Sequence, residues 1–127
     1  MKKLFLLLLL ISISACSTKS YILRKDISGC IQDQENRPIE NVEIKFVGND
    51  AFSPIPLKSD KNGCFFIERL VFKKYKDVVL HQNTIATKFT LSKEGYTSET
   101  INLEDYKYNR SMVVADTIKL GTIHLKK

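Results

Sequence analysis

An all-β fold, an antiparallel β-sandwich, is the class this sequence predicts, and three observations predict it. Apolar residues alternate with polar ones at period two through several short runs, where a helix would show a period of three and a half. Turn formers punctuate those runs at regular intervals. The 127 residues, 43% hydrophobic and 27% charged, suit one folded domain with a modest core.

The chain opens MKKLFLLLLLISISAC. Lys2 and Lys3 make a positive start, Leu4 to Ile13 an apolar run, and Ser14 and Ala15 a small-residue end. The run falls short of the roughly 20 residues a membrane-spanning helix needs, so residues 1–15 read as a secretory signal in preference to an anchor helix. The ending, Ile13 to Cys16, resembles the lipobox of bacterial lipoproteins: a branched apolar residue, two small ones and a cysteine. The resemblance implies cleavage after Ala15, a lipid on the Cys16 thiol and N-acylation of Cys16. Several acyl chains on one residue anchor stably where a single chain is marginal. Ser17 in place of aspartate implies, for a Gram-negative lipoprotein, export to the outer membrane. The formal net charge of +6 loses Lys2 and Lys3 with the signal. What remains is a weak bias toward anionic neighbours. The basic residues are scattered among acidic ones, so no nucleic acid partner is expected.

Residues 16–26 then read as the lipidated N-terminus and a short polar tether, with a strand start at Tyr21 to Leu23. The sandwich itself is expected over 27–127. Ile27, Gly29 and Ile31 share one strand face, and Ser28, Cys30 and Gln32 the other. Pro38 breaks the chain. Val42, Ile44 and Phe46 alternate with Glu43 and Lys45 as a half-buried strand, and a loop with Pro54 and Pro56 follows. Asp60 and Gly63 suit the first and fourth positions of a type I turn, the Asp side chain accepting local N–H bonds. The strand CFFIERL comes next, with Phe65 and Ile67 on one face. Phe66 faces the other way and is expected to lie under the 71–86 segment. Phe89 and Leu91 align, Glu94-Gly95-Tyr96 turns the chain, and Ile101 and Leu103 align again. In the last strand the apolar phase, Ile118 and Leu120 and then Ile123 and Leu125, slips by one across Gly121, the signature of a β-bulge. Residues 71–86 admit a short helix, a strand or a long loop. Residues 104–116 read as a polar connection with an apolar patch.

The order of these pieces resembles the carboxypeptidase regulatory-like domain, whose pattern is G-x-V-x-D, a proline turn, a V-x-V strand, D-x-x-G-x-F and a later Gly-Tyr. Here the matching positions are Gly29, Ile31 and Asp33; Pro38; Val42 and Ile44; Asp60, Gly63 and Phe65; and Gly95-Tyr96. The resemblance covers most of 27–127 and is weakest at 71–86. It implies a transthyretin-like, seven-stranded antiparallel Greek-key sandwich, in a family whose members are mostly non-catalytic modules.

A 5-hydroxyisourate hydrolase shares this fold, but this chain lacks its C-terminal Tyr-Arg-Gly-Ser and its histidine near the first strand. His81 and His124 are far apart and lack a second ligand at metal spacing, so no metal or other cofactor is expected. The Asp60 to Gly63 stretch lacks the twelve-residue calcium pattern. No order of Ser, His and Asp forms a nucleophile elbow. The basic run Lys73 to Lys76 reads as a solvated loop before it reads as a contact with lipid or polysaccharide.

The resemblances together imply a lipid-anchored, non-catalytic envelope protein that binds: a scaffold or accessory module for another envelope protein or for glycan. An immunity or inhibitor lipoprotein against a toxin or hydrolase is the alternative. With Cys16 lipidated, Cys30 and Cys64 remain, in a compartment that permits disulfides. In the transthyretin-like arrangement the first strand pairs with the strand after the Asp-x-x-Gly turn, which implies that Cys30 and Cys64 lie side by side on an outer sheet face and form a disulfide.

Overall fold

The structure, a computed structural model, describes residues 19–48, 52, 56–106, 113–114 and 116–127. Cys16, Ser17 and Pro54 lie outside that set. The strands in chain order are β1 (Tyr21–Arg24), β2 (Asp26–Gln32), β3 (Glu43–Phe46), β4 (Leu57–Lys58), β5 (Cys64–Ile67) and β6 (Leu70–Phe72). A short helix α1 (Tyr75–His81) follows, then β7 (Lys88–Ser92), β8 (Glu99–Asn102), a 3-10 turn (Leu103–Asp105), β9 (Val113–Val114) and β10 (Thr117–His124).

They form two four-stranded sheets, ordered β5-β2-β10-β9 and β4-β3-β7-β8, and a two-stranded ribbon of β1 and β6. The inner faces are the alternating residues. Ile27 and Ile31 of β2, Phe65 and Ile67 of β5, and Ile118 and Leu120 of β10 meet Ile44 and Phe46 of β3, Phe89 and Leu91 of β7, and Ile101. Phe65 of one sheet stands edge-on to Phe89 of the other, ring centroids 6.1 Å apart. Each fully buried large apolar side chain in such a layer stabilises by about 1.5–3 kcal/mol.

Two expectations are corrected. The described residues hold ten strands rather than seven. Nor is the sandwich wholly antiparallel: β2 and β10 run parallel, Asp26 opposite Thr117 and Gln32 opposite His124. Local alternation is the same in both directions, and no hairpin joins the first and last strands of a sheet, so nothing local sets their sense. The slip at Gly121 is where expected: the register shifts between Lys119 and Thr122, and Gly121 has φ +68°.

A strand does start at Tyr21. Residues 21–24 pair with β6, Tyr21 opposite Phe72 and Ile22 opposite Val71, and β2 already begins at Asp26. The open segment 71–86 resolves into the end of β6, α1 and a turn. Phe66 does not lie beneath it. That ring is 55% exposed, because α1 packs against β1 and β6 instead.

Candidate functional site

Gly29 and Phe65 approach closely, as do Gly63, Ile31 and Pro38. A β-carbon on Gly29 would lie 3.0 Å from the Phe65 ring, and one on Gly63 would lie 2.4 Å from the Ile31 carbonyl oxygen and 3.2 Å from Pro38. The Ile31 N–H donates to the Gly63 carbonyl at 2.8 Å. Asp33 accepts from the Glu35 and Arg37 N–H groups at 2.9 and 3.0 Å and from the Arg37 guanidinium at 2.9 Å. Those bonds, the Arg37 N–H foremost, hold the Asp33 carboxyl below its usual value against the opposing effect of burial. Asp60 organises the next turn: its Oδ1 accepts from the Asn62 and Cys64 N–H groups at 2.9 Å each, and its carbonyl accepts from the Gly63 N–H at 2.9 Å.

That turn delivers Cys64 opposite Cys30 in the β2–β5 ladder, and the two form a disulfide. The bond from the Ile31 N–H to the Gly63 carbonyl marks Cys30 and Cys64 as a non-hydrogen-bonded pair, the ladder position where facing side chains approach most closely. Their α-carbons are 3.9 Å apart. Both side chains leave the outer face, as alternation implies, and both thiols are consumed.

At the other end of β2 a charge cluster appears that the sequence did not signal, since its members are far apart in the chain. Asp26, buried, accepts from the Arg69 N–H at 2.7 Å and from the Arg69 Nε at 3.0 Å. Arg69 also reaches Asp116 at 3.3 Å. The Arg69 guanidinium bonds hold the Asp26 carboxyl below its ordinary range, with burial acting the opposite way. Every charge in this cluster has a structural partner, so it clamps the start of β2 to the chain after β5.

Beside it a cleft of about 190 Å³ is lined by Leu23, Arg24, Ala86, Leu103, Glu104 and Ile118, among others. Arg24 is buried and its guanidinium lies 4.6 Å from the Phe46 ring centroid, a cation–π contact. The cleft is smaller than the roughly 300–1,000 Å³ of ordinary small-molecule sites.

His81 packs against Phe52 and Phe72, with centroids at 4.8 and 5.8 Å. His124, exposed on its strand as expected, places Nε2 3.0 Å from Asn36 Oδ1. Among the described residues no group of three or more His, Cys, Asp or Glu side chains is placed to hold a metal, and no helix is long and apolar enough to cross a membrane. Three of the exposed large apolar side chains lie together on α1: Tyr75, Val79 and Leu80 are 64%, 52% and 61% exposed, with Lys73, Lys74 and Lys76 exposed beside them.

No family model and no curated protein matches the chain. Among solved structures, a 3-chlorocatechol 1,2-dioxygenase from Rhodococcus opacus is similar over 90% of this chain and 62% of its own, at 16% identity and a TM-score of 0.44. The chain thus spans less than two thirds of that protein's length, and a likeness at this level carries no argument about activity.

Proposed function

We propose that this chain is a lipid-anchored, non-catalytic binding module of a bacterial envelope, a scaffold or accessory subunit that presents a rigid carboxypeptidase regulatory-like, transthyretin-like sandwich to an envelope protein or glycan partner. The observation that carries the reading is the Cys30–Cys64 disulfide. A structural disulfide suits an oxidising compartment, which agrees with an export signal ending in a lipobox. The packing of Gly29 on Phe65 and of Gly63 on Ile31 and Pro38 supports the family resemblance, because the pattern residues serve one another's geometry. The two packed four-stranded sheets support a sandwich reading, with β1, β6 and α1 lying outside them.

Fatty-acid labelling in cells tests the anchor. Cys16→Ala is expected to abolish the label and leave an unprocessed precursor, and an unchanged label overturns the lipoprotein reading. Crosslinking the lipidated protein in its native cells tests the module. Capture of a stable envelope assembly that is lost on deletion supports it. Capture of one toxin or hydrolase, with cells sensitised by deletion, replaces the scaffold reading with that of an immunity protein.

A further inference from the structure

We infer that the outward face of α1 is a membrane-docking surface, and that its occupant is an anionic phospholipid bilayer. The inference rests on the anchor reading of Cys16 and extends it from a flexible tether to a seated orientation.

The helix is built inside out. A surface helix normally turns its apolar stripe to the core and its polar side to water. With 100° between successive residues, Tyr75, Val79, Lys76 and Leu80 span one continuous arc, and these four are exposed. Asp77, Val78 and His81 occupy the opposite arc and are half-buried, and no residue of the helix is fully buried. The sequence therefore directs its large apolar groups away from the domain, where in water each exposes surface at a cost. Lys76 lies within that arc, Lys73 and Lys74 precede the helix and are exposed, and the helix's own acidic residue, Asp77, is turned inward. An aromatic and two aliphatic side chains flanked by flexible lysines match the composition of segments that lie in the headgroup layer, apolar groups inward and ammonium groups at the phosphates.

The reach of the chain selects a bilayer over other apolar partners. Four residues separate Cys16 from Tyr21, and the five Cα–Cα steps span at most about 18 Å when fully extended. The Tyr21 ring lies 5.8 Å from that of Tyr75, and β1 and β6 lie against α1. A lipid on Cys16 thus brings the bilayer within one short tether of this face. Once there, each lysine strengthens attraction to an anionic surface about fivefold.

The chain has no tryptophan, so Leu80→Trp supplies a single fluorophore on the proposed face and Thr100→Trp a control on β8. The lipidated proteins are reconstituted in vesicles of phosphatidylethanolamine with phosphatidylglycerol and, separately, of phosphatidylcholine. In the anionic vesicles the Leu80→Trp protein is expected to emit to the blue and to be quenched by brominated acyl chains, while the Thr100→Trp protein keeps a solvent-like spectrum. Adding Lys73→Gln, Lys74→Gln and Lys76→Gln is expected to remove the blue shift. Solvent-like emission from the Leu80→Trp protein overturns the docking face while leaving the anchor intact. A shift that grows with protein density at fixed lipid overturns it in favour of a second copy, and equal shifts in both vesicles overturn the role of the lysines. Fatty-acid labelling scored on the same preparations separates the two claims, because an unlabelled Cys16 defeats the anchor reading and the docking face with it.

Discussion

Gly63 and Ile31 approach so closely that a β-carbon on the glycine would stand 2.4 Å from the isoleucine's carbonyl oxygen. The contact is backbone to backbone, so no rotamer change relieves it. Gly63 also has φ +73°, a region that side chains disfavour. Gly63→Val is therefore expected to destabilise the domain by roughly 2–4 kcal/mol. Gly95 has φ +86° but nothing within 4 Å of its would-be β-carbon, so Gly95→Ala should lose only the backbone preference, about 1 kcal/mol. Denaturant midpoints of the two variants check the difference, and equal losses would remove the clash as its cause.

Cys30 and Cys64 close a loop with a sequence separation of 34. Loop-closure entropy assigns such a crosslink about 3–4 kcal/mol, less any native strain. The paired Cys30→Ala and Cys64→Ala substitutions are expected to lose that amount in equilibrium unfolding. Protein prepared without reductant should resist alkylation until reductant is added. Full alkylation of both thiols without reductant would show that the bond does not form.

Asp26 and Asp33 have folded-state values held below those of the unfolded chain. Their contribution to stability is therefore complete above the unfolded carboxylate value, about 3.9, and is lost as pH falls through the lower folded values. Stability should be flat near neutrality and decline on acidification below about pH 4. In Asp26→Asn the ion pair with Arg69 is lost at every pH, so the variant should be weaker at pH 7 and show a shallower acid decline than the parent. Parallel acid slopes would argue that Asp26 does not titrate with folding.

Phe65 and Phe66 are neighbours with opposite fates. Phe65 is buried between the sheets and Phe66 is exposed. Phe65→Ala is expected to lose about 3–5 kcal/mol, and Phe66→Ser to stay within about 0.5 kcal/mol of the parent. Thermal unfolding of both distinguishes them. A large loss at Phe66 would mean that something covers that ring.

Where burial has period two, the sequence was legible. Val42, Ile44 and Phe46, Phe89 and Leu91, and the slip across Gly121 all announce themselves because one face of each strand meets the core. The turn at Asp60 to Gly63 was legible for a different reason, since its side-chain bonds are local. The sense of β2 against β10 was not readable, because pairing between distant strands leaves no trace in either one's alternation. The helix α1 was equally hidden: with nothing fully buried, it has no inward stripe to read, and its outward apolar face mimics a half-buried strand. The Asp26–Arg69 clamp joins residues 43 apart in sequence, and single charges at such distances carry no pattern. Phe66 was misplaced because the segment expected to cover it packs on β1 and β6.

The parallel pairing of β2 with β10 also gives the molecule a direction. Both strands start at the Asp26 end and finish at the Gln32 end, roughly 20 Å away along the sheet. The Asp33–Arg37 and Asp60–Gly63 turns lie at that far end, and the Thr97 N–H bonds the Lys126 carbonyl at 2.7 Å nearby. These turns and the C-terminal lysines therefore share the end of the sheet opposite Asp26. A protein fused after Lys127 would leave the sheet from the end opposite Asp26.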